Sequence, residues 1–118
     1  MHLYRPLGAT GLNCHPLGFG CYRIADGNQA QADALNDYLD RGGNLIDTSA
    51  NYTDGESEVL VGKTLQGRPP DRMIVVTKGG YIQGRNMDLA ERRNFPEVVK
   101  YGEGIWHSIH PEFLETQV

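Results

Sequence analysis

Long apolar runs are missing from this sequence, cysteine is scarce, and neither sign of charge predominates. No stretch approaches the roughly 18 consecutive apolar residues that a membrane-spanning helix needs, so no membrane partner is expected. The opening Met1-His2-Leu3-Tyr4-Arg5-Pro6 lacks the apolar region of a secretory leader, and a cytoplasmic location follows as the expectation. There are two cysteines, Cys14 and Cys21. With a strand between them they would stand about 20 Å apart, beyond the reach of a disulfide. Both read as free thiols of a reducing compartment. The net charge is −4, with acids and bases interspersed, which leaves no basic footprint for nucleic acid.

What is present fits a single soluble domain over residues 1–118: 39% hydrophobic, 22% charged, and 15 glycines that imply many tight turns. Pro6, Gly8 and Gly11, with Ala9-Thr10-Gly11 as the turn, predict a small hairpin over residues 3–15. Leu17-Gly18-Phe19-Gly20-Cys21 reads as a short strand. Asn28 is placed to cap a helix whose apolar face is Ala32, Leu35 and Leu39, with Tyr38 beside it and Gly42-Gly43 as the stop. Asn44-Leu45-Ile46-Asp47 is a second strand. Thr53 and Glu56 have capping-box spacing for a helix over residues 55–65, which Pro69-Pro70 ends. Met73-Ile74-Val75-Val76-Thr77 is a third strand, apolar enough to be covered on both faces.

Strand and helix therefore alternate, which predicts a parallel sheet with right-handed crossovers. Residues 79–109 read as a long polar loop, with single helical turns over residues 88–93 and 96–101. Pro111 suits the first position of a new helix, with Phe113, Leu114 and Val118 on its apolar face.

Polar residues fall at telling places on these strands. Asp47 closes the second strand and Lys78 closes the third, so both belong to the carboxyl rim, where α/β folds bind ligands. Parallel neighbours lie about 4.8 Å apart, so an Asp47–Lys78 ion pair is easily formed. Tyr52 follows on the loop above that rim. A free phenol has a pKa of about 10, and a nearby ammonium favours its ionised form. Tyr52 then reads as a proton donor to a carbonyl oxygen, Lys78 as its tuner, and Asp47 as the anchor of Lys78.

The run Gly43-Asn44-Leu45-Ile46-Asp47-Thr48-Ser49-Ala50-Asn51-Tyr52, followed by Gly55, Glu56, Glu58 and Gly62, resembles the aldo-keto reductase signature. Tyr4-Arg5-Pro6-Leu7-Gly8-Ala9-Thr10-Gly11-Leu12 is similar to that family's N-terminal hairpin. Leu17-Gly18-Phe19-Gly20-Cys21-Tyr22 resembles its first barrel strand and turn, and Val75-Val76-Thr77-Lys78 its third strand.

The resemblance implies an α/β fold: a partial (β/α)₈ TIM barrel made of an N-terminal hairpin and about three βα units. It implies NAD(P)H-dependent reduction of aldehydes or ketones, with a small carbonyl substrate. Asp47, Tyr52 and Lys78 fill three places of the family's Asp-Tyr-Lys-His tetrad. Gly20, Cys21, Tyr22 and Asp47 face the nicotinamide of NADP, with NAD as the alternative. The tetrad's histidine belongs at the end of a fourth strand that these residues do not reach, so the 118 residues alone are expected to be inactive. A complete barrel takes about 250 residues, so open sheet edges and self-association through them are expected.

Blander readings stand beside these. The alternative function is a non-catalytic fragment, or a regulatory subunit that binds a partner. His107 and His110, with Cys14, Cys21 or His15, suggest a metal site only weakly; the simpler reading is a polar entry to a helix, with His110 as its cap. Trp106 suits a lid or loop packing equally. Gly18-x-Gly20 lacks the third glycine of a dinucleotide fingerprint, and Lys78-Gly79-Gly80 is not a phosphate loop.

Overall fold

In the computed structural model, which describes residues 3–118, the chain begins with a small antiparallel hairpin: β1 (Arg5–Pro6) pairs with β2 (Asn13–Cys14). Thr10 closes its turn, donating from its hydroxyl to the Leu7 carbonyl at 2.6 Å. Three parallel strands follow. β3 (Phe19–Gly20) lies beside β4 (Leu45–Asp47), which lies beside β5 (Ile74–Val76). The register sets Gly20 against Asp47 and Asp47 against Val76, so the strands end level with one another.

Helix α1 (Gln29–Asp40) connects β3 to β4. Asn28 caps it as expected, its side chain accepting from the Gln31 N–H at 3.2 Å. Leu35 and Leu39 face inward and are buried, and Gly42 leaves the helix with φ +95°. Helix α2 (Glu56–Leu65) connects β4 to β5 and contributes Leu60 and Val61. These residues form one core with Cys21, Ile24 and Ile46.

The capping box expected at Thr53 and Glu56 does not form. Thr53 and Asp54 take left-handed backbone (φ +49° and +55°) in a 3₁₀ turn, Tyr52–Gly55. Gly55, at φ +94°, is the residue before α2. The Thr53 hydroxyl donates instead to the Ile24 carbonyl at 2.7 Å, tying this turn to the loop after β3. A long-range partner has displaced the local one.

Residues 79–109 are likewise not a loop. They contain β6 (Tyr81–Ile82), α3 (Arg85–Arg93), β7 (Val99–Gly102) and β8 (Ile105–His107). The three strands form an antiparallel sheet in the order β6-β8-β7. The turn expected over residues 88–93 is the second half of α3, whereas that over 96–101 gives way to β7. Ile82, Ala90 and Phe95 of this unit form a second core with Phe113 from the residues that follow, and Trp106 packs against it. Packing is thus the role of Trp106, and the Lys100 ammonium covers its ring at 4.0 Å.

Pro111 begins α4 (Pro111–Leu114) as expected, with the His110 Nδ1 accepting from the Glu112 N–H. Phe113 is buried, but Val118 is fully exposed. β5 is not covered on both faces either: Val75 and Val76 are each more than 40% exposed. No helix among the described residues is long and apolar enough to cross a membrane.

Candidate active site

The level strand ends bring one carboxylate, one amine and one phenol to the same rim. Asp47 is the last residue of β4, and its carbonyl accepts from the Cys21 N–H at 2.9 Å. Its carboxylate accepts a hydrogen bond from the Lys78 ammonium, which also donates to the Thr48 carbonyl. The Lys78 nitrogen lies 5.0 Å from the centroid of the Tyr52 ring. The Tyr22 ring meets the Tyr52 ring edge-on at 5.1 Å.

The electrostatics of the group follow from this arrangement. Partial desolvation pulls the Lys78 pKa down. The hydrogen bond and charge of Asp47, with a smaller contribution from Tyr52, outweigh it and hold the value above the ordinary lysine value. Lys78 is therefore a fixed cation beside the phenol across the neutral range. Its side chain is 43% exposed, so the ammonium is within reach of solvent.

The base of the rim is tied together by buried hydrogen bonds. Ser57, on α2, donates to the Cys21 carbonyl at 2.8 Å and shares a hydrogen bond with Thr48 at 2.9 Å. Cys21 and Ser57 are fully buried. Burial, then the negative charge of Asp47, pushes the Cys21 thiol up to about 11, against a smaller opposing effect of Lys78. Of the turn Gly20-Cys21-Tyr22, the thiol thus belongs to the core. Gly20 has open space where a side chain would stand, and Tyr22 is 64% exposed.

The rim opens into a cleft of about 550 Å³ lined by Tyr22, Tyr52, Lys78, Tyr81, Gln83 and His107 among others. A second hollow of the same volume lies beneath the hairpin, lined by residues such as Tyr4, Asn13 and Met73. Its lining holds Tyr4, Asp71 and Arg72 but no lysine. In the upper cleft, Ser49 donates to Asn51 at 2.7 Å, and Asn51 donates to Gln83 at 2.7 Å. This chain of hydrogen bonds fastens the loop after β4 to β6.

The sequence reading named Asp47, Tyr52 and Lys78, and the fold brings all three together. It missed Asn51, on the loop after β4, and Tyr81, Gln83 and His107, which reach the cleft because residues 79–109 fold back over the rim. Pairing of His107 with His110 dissolves: His110 caps α4, while His107 lies on β8 in the cleft. No cluster of three or more His, Cys, Asp or Glu side chains suited to a metal occurs among the described residues.

Comparison with known proteins gives the family and the fold. The model of the aldo/keto reductase family matches residues 16–101. The NADH-specific methylglyoxal reductase of Escherichia coli is 35% identical, over 96% of this chain and 35% of its own length. The 6-dehydroglucose reductase of Novosphingobium aromaticivorans is 34% identical, over 67% of this chain and 30% of its own. The solved structure of an aldo-keto reductase from Bacillus halodurans, in its holo form, superposes with a TM-score of 0.72 at 27% identity, over 98% of this chain and 34% of that one. The chain thus spans about a third of the length of the relatives it matches. Its three parallel strands and their helices are the opening part of a (β/α)₈ barrel, and the chain belongs to the aldo/keto reductase family.

Proposed function

We propose that this chain carries the proton-donating group and the nicotinamide-facing turn of a NAD(P)H-dependent oxidoreductase that reduces small aldehydes and ketones to alcohols. The observation that carries the reading is the placement of Lys78, bound to Asp47 and 5.0 Å from the Tyr52 ring. Tyr52 gives its hydroxyl proton to the carbonyl oxygen as that oxygen gains charge. The Lys78 ammonium stabilises the phenolate left behind, and Asp47 keeps the ammonium charged and in position. The phenolate then regains a proton from solvent.

Gly20, Cys21, Tyr22 and Asp47 would hold the nicotinamide end of NADP, or of NAD in its place. The open space at Gly20 and the exposed Tyr22 ring fit a flat ring lying over the strand ends. When bound, the reduced cofactor supplies the hydride for the carbonyl carbon. The names of the relatives, a methylglyoxal reductase and a 6-dehydroglucose reductase, support small carbonyl compounds as substrates.

Replacing Tyr52 with Phe in the full-length protein tests the reading. Turnover should fall by at least about 10²-fold, the usual size of a lost general acid, while cofactor affinity stays within about twofold. Unchanged turnover would refute the role given to Tyr52.

A further inference from the structure

We propose that Asp54 is a positioning residue for Tyr52: its carboxylate caps helix α3 from outside and so clasps the turn that carries the phenol. The inference rests on the reductase reading above and adds to it a residue that acts through Tyr52.

The first observation is that the turn needs outside support. Tyr52 begins the 3₁₀ turn Tyr52–Gly55, in which Thr53, Asp54 and Gly55 follow one another in left-handed backbone (φ +49°, +55° and +94°). Two of these residues carry side chains, and such backbone persists only where its surroundings over-determine it. The local bonds are at the long end of the ordinary range. The Tyr52 N–H donates to the Ser49 carbonyl, and the Asp54 N–H to the Asn51 carbonyl, both at 3.2 Å.

The second observation is where the outside ties fall. Asn51 and Asp54 bracket Tyr52, and the same short segment, Gln83-Gly84-Arg85, grips both. The Asn51 amide donates to Gln83 Oε1 at 2.7 Å, and Asp54 Oδ1 accepts from the Arg85 N–H at 3.1 Å. Arg85 is the first residue of α3, so its N–H has no carbonyl to meet within the helix. Gly84, just before it, supplies no side-chain cap. The Asp54 carboxylate takes that place from 31 residues away, with its negative charge at the positive end of the helix.

The third observation is how closely the two segments meet. A side chain at Gly84 would stand 2.5 Å from Asp54 Oδ1, and the Gly84 backbone is itself left-handed (φ +53°). Across the contact, a side chain at Gly55 would stand 2.4 Å from Arg85 Nη2. Two glycines therefore let the turn and the start of α3 approach. On the far side of the turn, Thr53 is held by the Ile24 carbonyl. Releasing Asp54 frees one end of the turn under Tyr52 and leaves the Asp47–Lys78 pair in place.

The test uses the full-length protein, the reduced cofactor and propanal. Asp54→Ala should lower kcat about tenfold, while the cofactor binds at full stoichiometry with a Kd within about twofold of the wild type. Full stoichiometry shows that folded protein has not been lost. Asp54→Asn keeps an oxygen that can accept from the Arg85 N–H and should recover most of the loss. Gly84→Ala removes no hydrogen-bonding group but drives a methyl against Asp54. It should lower kcat as well, and adding Asp54→Ala to it should lower kcat little further. An unchanged kcat in Asp54→Ala, equal losses in the Ala and Asn proteins, or a loss matched by lost cofactor binding would overturn the inference while leaving the reductase reading intact. A wild-type protein that does not reduce propanal would overturn both. If Gly84→Ala fails to fold, the two Asp54 variants decide.

Discussion

The Lys78 ammonium sits 5.0 Å from the centre of the Tyr52 ring while bound to the Asp47 carboxylate, so one cation stands between an acid that holds it and a phenol beside it. The acid is on β4, the phenol on the loop above it and the amine beyond β5. Small changes at Asp47 should therefore be felt at Tyr52.

Asp47→Asn keeps the shape of the side chain and removes its charge. Because Asp47 is what outweighs desolvation at Lys78, the lysine pKa should fall in the variant. Lysine is active here as the cation, so a lower pKa means that activity is lost at lower alkaline pH. We expect kcat to drop by about 10- to 100-fold, the worth of a charge-assisted hydrogen bond. The alkaline limb of the pH–rate profile should move toward neutrality. A profile superimposable on the wild type would show that Asp47 does not anchor Lys78.

Cys21 should resist alkylation in the native protein. Its thiol is fully buried and raised from the ordinary 9.0 to about 11, so almost none is thiolate at pH 8. Cys14 is part-exposed and should label first. Mass spectrometry after brief iodoacetamide treatment should find label on Cys14 alone, and on both cysteines in urea. The raised value also means that Cys21 favours folding below pH 9 and that this contribution is lost as the pH rises from 9 to 11. Equal labelling of both thiols in the native state would contradict the burial.

Tyr38→Phe should destabilise the fold without touching the cleft. The Tyr38 hydroxyl donates to the Leu17 carbonyl at 2.7 Å and accepts from the Leu45 N–H at 3.1 Å, joining α1 to the chain on either side of it. Its ring occupies the space left by Gly43, which has no room for a side chain. Removing the oxygen leaves the part-buried Leu45 N–H unsatisfied, at a cost of about 1–3 kcal/mol. Urea denaturation gives the value, and a midpoint equal to the wild type would show these bonds to be dispensable.

The hairpin, the three parallel strands and both long helices were legible because each announces itself locally. Asn28 caps, Gly42 stops, and Leu35 and Leu39 share a face. The rim triad was legible for the same reason, since strand ends fix where Asp47 and Lys78 lie. Thr53 was misread because its partner, Ile24, is 29 residues away and no spacing rule reaches that far. The 79–109 unit was hidden by its composition. α3 carries four basic or acidic side chains in its last six residues, and the core it joins is scattered over β6, two helices and the loop that holds Phe95. The register also slips between Lys100 and Gly102, which erases the alternation that marks a strand. His107 and Gln83 were lost with it.

Gly80 and Ser108, joined by one backbone hydrogen bond, are the two gateposts of that unit. Everything between them leaves the barrel and returns to nearly the same point, with a small interior that Phe113 of α4 completes. Such an excursion can grow, shrink or be exchanged between related proteins while the order of the staves below is unaltered. The Asp47–Lys78–Tyr52 group above the parallel strands and the wall that Tyr81 and His107 add to the cleft can then diverge at separate rates along one polypeptide.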